Sequence, residues 1–110
     1  NIKLGKSGGI HTGLKINAIA EAAGCKCMIG CFGESRLALS AAAHVALARP
    51  NIVFLDLDSA YDFVEDPVQG GVRFDQGNIG GSIQVPESPG HGAGFDESAL
   101  QNQVTVGDST

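Results

Sequence analysis

Three strand-like apolar runs start near residues 1, 26 and 52, about 25 residues apart, and a helix-forming stretch follows each of the first two. Asn1 to Leu4 is the first run, followed by the loop Gly5-Lys6-Ser7-Gly8-Gly9. Thr12 to Ala23 reads as a helix with Leu14, Ala18, Ile19, Ala22 and Ala23 on its buried face and Gly24 as its stop. Cys25 to Cys31 is the second strand. Ser35 to Ala48 is the second helix, with Leu37, Leu39, Ala41, Ala42, Val45 and Ala46 as its apolar positions and Pro50 ending it. Ile52-Val53-Phe54-Leu55 is the third strand, a continuous run of the kind buried on both faces. Strands joined through one helix run parallel, so the predicted order is βαβαβ.

After Asp58 the period is lost. Val72 to Phe74 and Ser82 to Val85 predict a hairpin around Gln76-Gly77-Asn78-Ile79-Gly80-Gly81, with Pro86 to Gly94 as a loop. The expected organisation is βα units over 1–60, a hairpin and Pro/Gly loop over 61–97, and a polar tail over 98–110. Three parallel strands with two helices leave two sheet edges open, so self-association or completion by other segments is expected. The 110 residues suffice for one domain, and they begin at Asn1 inside a strand-like run without an initiator Met. We therefore expect a piece of a longer protein, whose compartment the lack of a signal peptide leaves open.

Charge narrows the partners. Seven Lys and Arg against twelve Asp and Glu leave a net charge of −5, which argues against a nucleic-acid surface. No apolar run approaches the ~20 residues that span a bilayer. Cys25, Cys27 and Cys31 alternate onto one strand face, lack zinc-site spacing and are odd in number. They read as buried free thiols of a reducing, cytoplasmic compartment. His11, His44 and His91 are too scattered to form a site, and His44 reads as structural.

The chemistry-bearing residues gather where parallel strands end, the edge at which α/β folds place their sites. Lys3 and Lys6 follow the first strand, Glu34 the second, and Asp56 and Asp58 close the third. A lysine in apolar surroundings favours its neutral form and can act as a proton-transfer base; the alternative is a lysine snorkelling at a strand end. Asp56 and Asp58 share one side of their strand and call for a cation, either a metal or an ammonium group; the alternative is an exposed pair opening a loop. Gly5-Lys6-Ser7 with Asp56 also permits a nucleotide-binding fragment, although the Gly that a phosphate loop needs before Gly5 is absent. Gly8 and Gly9 could hold a small anion at the helix start.

Taken together, the motifs resemble the C-terminal half-barrel of the enolase superfamily, in its muconate-lactonising and dipeptide-epimerase branch. Asn1 to Ile10 resembles that branch's sixth barrel strand and following loop, Cys27 to Ser35 its seventh, and Asn51 to Asp58 its eighth. Ile83 to Pro86 and Pro89 to Gly92 are similar to its C-terminal segment, where a Leu is more usual than His91. The resemblance implies an α/β fold: strands 6–8 of a (β/α)8 TIM-type barrel plus a C-terminal hairpin segment. It also implies Lys3 as a catalytic lysine. Asp56 and Asp58 would bind a dipeptide's ammonium, Cys31 and Gly33 would line the substrate through their backbone, and Glu34 would stand at the pocket edge. Magnesium would stabilise the enediolate, held by carboxylates in a part of the barrel outside this sequence, with no metal ligand in this chain. The expected activity of the parent is epimerisation of a dipeptide such as Ala-Glu by 1,1-proton transfer, the isolated chain being inactive. Alternatives within the superfamily are a muconate cycloisomerase, an o-succinylbenzoate synthase or an N-acylamino acid racemase. A non-catalytic, self-associating fragment is the alternative from another class.

Overall fold

Of the first predicted strand, only Ile2 pairs. The structure is a computed structural model that describes residues 1–75 and 81–99. Ile2 forms a parallel bridge with Ile29, donating its N–H to the Met28 carbonyl and accepting from Gly30 N–H, each at 2.8 Å. The chain then turns into a short helix, α1 (Leu4–Ser7), in place of the expected loop. Lys3 is its extended N-cap, and Ser7 Oγ donates to the Lys3 carbonyl at 3.0 Å.

Helix α2 (Ile10–Ala22) leads to β1 (Cys27–Gly30), and α3 (Arg36–Leu47) leads to β2 (Ile52–Asp56). β1 and β2 pair in parallel, so with the Ile2 bridge the observed order is the predicted βαβαβ. Gly24 stops α2 as expected. At φ +72° it adopts the left-handed conformation after the helix. Its N–H reaches the Glu21 carbonyl and that of Cys25 reaches Ala20, which satisfies two terminal carbonyls.

The core is aliphatic: Ile2, Leu4, Ile29, Leu39, Val45, Ile52 and Leu57 meet between sheet and helices. The buried face of α2 differs from the expected one. Gly13 and Asn17 are buried and Leu14 is partly so, whereas Ala18, Ala22 and Ala23 are exposed and Ile19 is 71% exposed. Gly13 lets the helix approach Leu4 and Ile2 closely. Asn17 meets Asn51 Nδ2 at 3.3 Å, and that amide also donates to the Cys25 carbonyl at 3.0 Å. A polar pair with satisfied bonds thus takes a place that apolar periodicity assigns to alanines. β2 differs too. Ile52 is buried, but Val53, Phe54 and Leu55 are exposed, Phe54 by 63%. Among the described residues no further strand pairs with its outer edge.

Beyond β2, a 3₁₀ turn (Ser59–Asp62) precedes two small antiparallel sheets. β4 (Arg73–Asp75) pairs with β5 (Ser82–Gln84), matching the predicted hairpin, while its turn residues 76–80 lie outside the described residues. β3 (Val68–Gly70) pairs with β6 (Ala93–Phe95), so the expected Pro86–Gly94 loop ends in a strand. Glu97–Ala99 forms a 3₁₀ turn at the border with the expected tail, of which residues 100–110 lie outside the described residues.

Arg36 fastens this segment to α3. Its guanidinium pairs with Asp66 and donates to the carbonyls of Gly70 (2.7 Å), Val72 (3.1 Å) and Val68. One planar fork serves four acceptors, a task that a single ammonium cannot share out in the same geometry. Arg36→Ala should lower stability by about 2–3 kcal/mol in denaturant unfolding. Hydrogen exchange should rise first over residues 66–72, and Arg36→Lys should recover less than half the loss. Retained protection in that segment would contradict this role.

Candidate functional site

The C-terminal ends of Ile2, β1 and β2 bring Lys3, the Cys31–Glu34 loop and Asp58 to one edge. Lys3 is half-buried, and its Nζ donates to the Cys31 carbonyl. Gly30 makes room for it: a Cβ there would stand 3.0 Å from Lys3 Nζ and 2.8 Å from Asn1 Oδ1. Glycine within an apolar strand is a sequence signal of such a close approach. Cys31 is buried, and its thiol donates to Asp58 Oδ1 at 3.6 Å. It therefore touches both the lysine and one carboxylate of the Asp pair.

Asp56 and Asp58 are exposed and flank the buried Leu57, which agrees with the expected alternation. Among the described residues neither pairs with a cationic side chain; Arg36 takes Asp66 instead. Glu34 is half-buried, and burial raises its pKa above the ordinary carboxylate value, with Lys3 partly opposing the shift. Its side chain lies against Gly5, beside the Phe32 ring. Gly33 is exposed and left-handed.

Ser59 gave no sequence signal, being one hydroxyl after an acidic pair. It is buried, accepts from Glu34 N–H at 3.1 Å and donates to the Glu34 carbonyl at 2.9 Å. The thiols are not all alike: Cys27 and Cys31 are buried, but Cys25 precedes β1 and is exposed. His44 donates to the Ser40 carbonyl within α3 at 2.8 Å, the structural role expected of it.

The expected loop at Gly5-Lys6-Ser7 fares differently. Gly5-Lys6-Ser7 lies in α1 rather than in a cradling loop, and Lys6 Nζ sits 5.2 Å from the Phe32 ring centroid. That arrangement gives no phosphate nest. A groove of about 880 Å³ takes in Asp56 and Asp58 but is walled by Phe54, Leu55, Tyr61 and Phe74 and omits Lys3. It is the open side of β2, and the short contacts around Cys31 locate the candidate chemistry better than its volume does. Among the described residues no group of three or more His, Cys, Asp or Glu could hold a metal ion, and no helix is long and apolar enough to cross a membrane.

Comparison with known proteins places this edge in context. Residues 1–99 match the family described as enolase C-terminal domain-like. The D-Ala-D/L-Ala epimerase of Cytophaga hutchinsonii is 45% identical over 100 residues, covering 91% of this chain and 26% of that protein. The Hydrophobic dipeptide epimerase of Enterococcus faecalis is 51% identical over 76 residues, covering 68% of this chain and 22% of that protein. A structure of the Cytophaga dipeptide epimerase complexed with Mg and D-Ala-L-Val matches with a TM-score of 0.82 at 45% identity, over 91% of this chain and 26% of that one. The chain thus spans about a quarter of the length of the relatives it matches. Its parallel βαβαβ order corresponds to a portion of a (β/α)8 barrel. On these grounds the chain belongs to the enolase C-terminal domain-like family.

Proposed function

We propose that this chain is the C-terminal barrel portion of a magnesium-dependent dipeptide epimerase, acting by 1,1-proton transfer at the carbon α to a carboxylate through an enediolate. The observation that carries the reading is the double engagement of Cys31, whose carbonyl receives Lys3 Nζ while its thiol faces Asp58. Cys31 stands between amine and carboxylate, and among the described residues no ion pair joins Lys3 to Asp58. In the neutral amine, one N–H directed at Cys31 leaves the lone pair on another side of the nitrogen, where it can take an α-proton.

Asp56 and Asp58 bind the substrate's ammonium through charge-assisted hydrogen bonds. The backbone of Cys31 and Gly33 lines the dipeptide, and Glu34 stands at the edge. The dipeptide epimerases among the relatives support this substrate class, and the Mg-bound structure supports the metal. In this reading the ion's ligands lie in a part of the barrel outside this sequence. That remainder is also the partner in this reading: it covers β2 and carries the second proton-transfer group, and the chain alone does not turn over. No nucleic acid or membrane is involved. The two buried free thiols suit a cytoplasmic setting.

A superfamily member acting on muconate or an N-acyl amino acid has no use for an ammonium receptor. In deuterated solvent, the longer protein should invert L-Ala-L-Glu or a related dipeptide and incorporate deuterium at the α-carbon. Incorporation into N-acyl amino acids and into no free dipeptide would move the assignment to that branch.

A further inference from the structure

We propose that Ser59 is a positioning residue for the ammonium clamp, its buried hydroxyl fixing Asp58 against the loop that also receives Lys3. The inference rests on the proposed dipeptide reading. Ser59 follows Asp58 directly, where β2 has ended and the 3₁₀ turn begins, and it is 4% exposed. Its Oγ grips both polar backbone groups of Glu34, accepting from the N–H at 3.1 Å and donating to the carbonyl at 2.9 Å.

The loop it grips, residues 31–35, has no regular secondary structure and so lacks the ladder bonds that fix β1. Among the described residues, three side chains tie the loop by hydrogen bonds: Lys3 on the Cys31 carbonyl, the Cys31 thiol on Asp58, and Ser59 on Glu34. Two of them join it to consecutive residues, Asp58 and Ser59. A thiol is a weak donor, so the hydroxyl is the stronger tie between the acidic strand end and this loop. Removing it leaves Asp58 tied to the loop by the weak thiol bond alone and the N–H and carbonyl of Glu34 without their partner.

Ser59→Ala in the longer protein tests the role. The KM for a free dipeptide should rise about three- to tenfold, the equivalent of one lost hydrogen bond. The inhibition constant of the N-acetylated dipeptide, which has no ammonium, should stay unchanged. Ser59→Thr, which restores the hydroxyl, should return KM to the wild-type value. An unchanged KM in Ser59→Ala, or equal weakening of the free and N-acetylated ligands, would overturn the inference. If Ser59→Ala does not fold, amide exchange in the wild-type protein decides instead. Glu34 N–H should exchange at least about tenfold more slowly than Gly33 N–H, and equal rates would overturn the bond's role. Wild-type protein that binds free and N-acetylated dipeptides equally well would sink the dipeptide reading itself, a failure distinct from that of Ser59.

Discussion

Lys3→Ala should abolish epimerisation in both directions, with a loss of about 10²–10⁴ in kcat, the usual contribution of a positioned proton-transfer group. Inversion needs a proton removed from one face and another delivered to the opposite face. Without Lys3, one of those steps is lost whichever epimer is supplied. Exchange with solvent divides the two epimers. The one whose α-proton faces Lys3 should stop exchanging, while the other should continue to exchange without inversion through the second group. KM should change little, because the ammonium receptor lies beyond Cys31 and does not include the lysine. Lys3→Arg should fail nearly as completely, since a guanidinium does not deprotonate in proteins and Gly30 leaves space for a narrow amine. The measurement is α-deuterium incorporation for each epimer separately by proton NMR. If Lys3→Ala left exchange from both epimers intact, the proton-transfer assignment would be refuted.

The residues behind that prediction were legible to different degrees. Lys3, Glu34, Asp56 and Asp58 could be placed from sequence because hydrophobic period locates strand ends, and polar groups at strand ends are few. Order and spacing were enough for the parallel βαβαβ unit. What period does not encode is which face of a helix a close approach or a polar pair will bury. On α2 it favoured Ile19 and the alanines, whereas Gly13 and Asn17 face the core through close approach and an amide pair. Similarly, an apolar run such as Ile52 to Leu55 states a need for burial and not its fulfilment, so its exposed side chains surface only in three dimensions. Arg36 and Ser59 are ordinary residues in the chain, and their importance lies wholly in hydrogen-bond partners 25 to 36 positions away. The β3–β6 pairing was hidden for a related reason. Three-residue strands rich in Gly carry no alternation to read.

Replacing the acidic pair should separate binding from chemistry. Asp56→Asn with Asp58→Asn should raise the KM for free dipeptides by about 10²-fold, since two charge-assisted hydrogen bonds are weakened together and their losses are not additive. Affinity for the N-acetylated dipeptide should be unaffected or improve, because two uncompensated carboxylates no longer face a neutral amide. The single variants should be unequal. Asp58 is held by the Cys31 thiol and followed by the anchored Ser59, whereas Asp56 is held through its strand pairing with Gly30. A preorganised carboxylate loses less freedom on binding an ammonium, so Asp58→Asn should cost more than Asp56→Asn. Raised salt should weaken the wild-type protein toward free dipeptides and leave the double variant nearly indifferent, because the exposed pair is open to screening. KM values for free dipeptides and inhibition constants of the N-acetylated ones at two ionic strengths, in the wild-type, single and double variants, test these statements. An unchanged KM for free dipeptides in the double variant would remove the ammonium receptor from the proposal and leave Lys3 with a substrate of different charge.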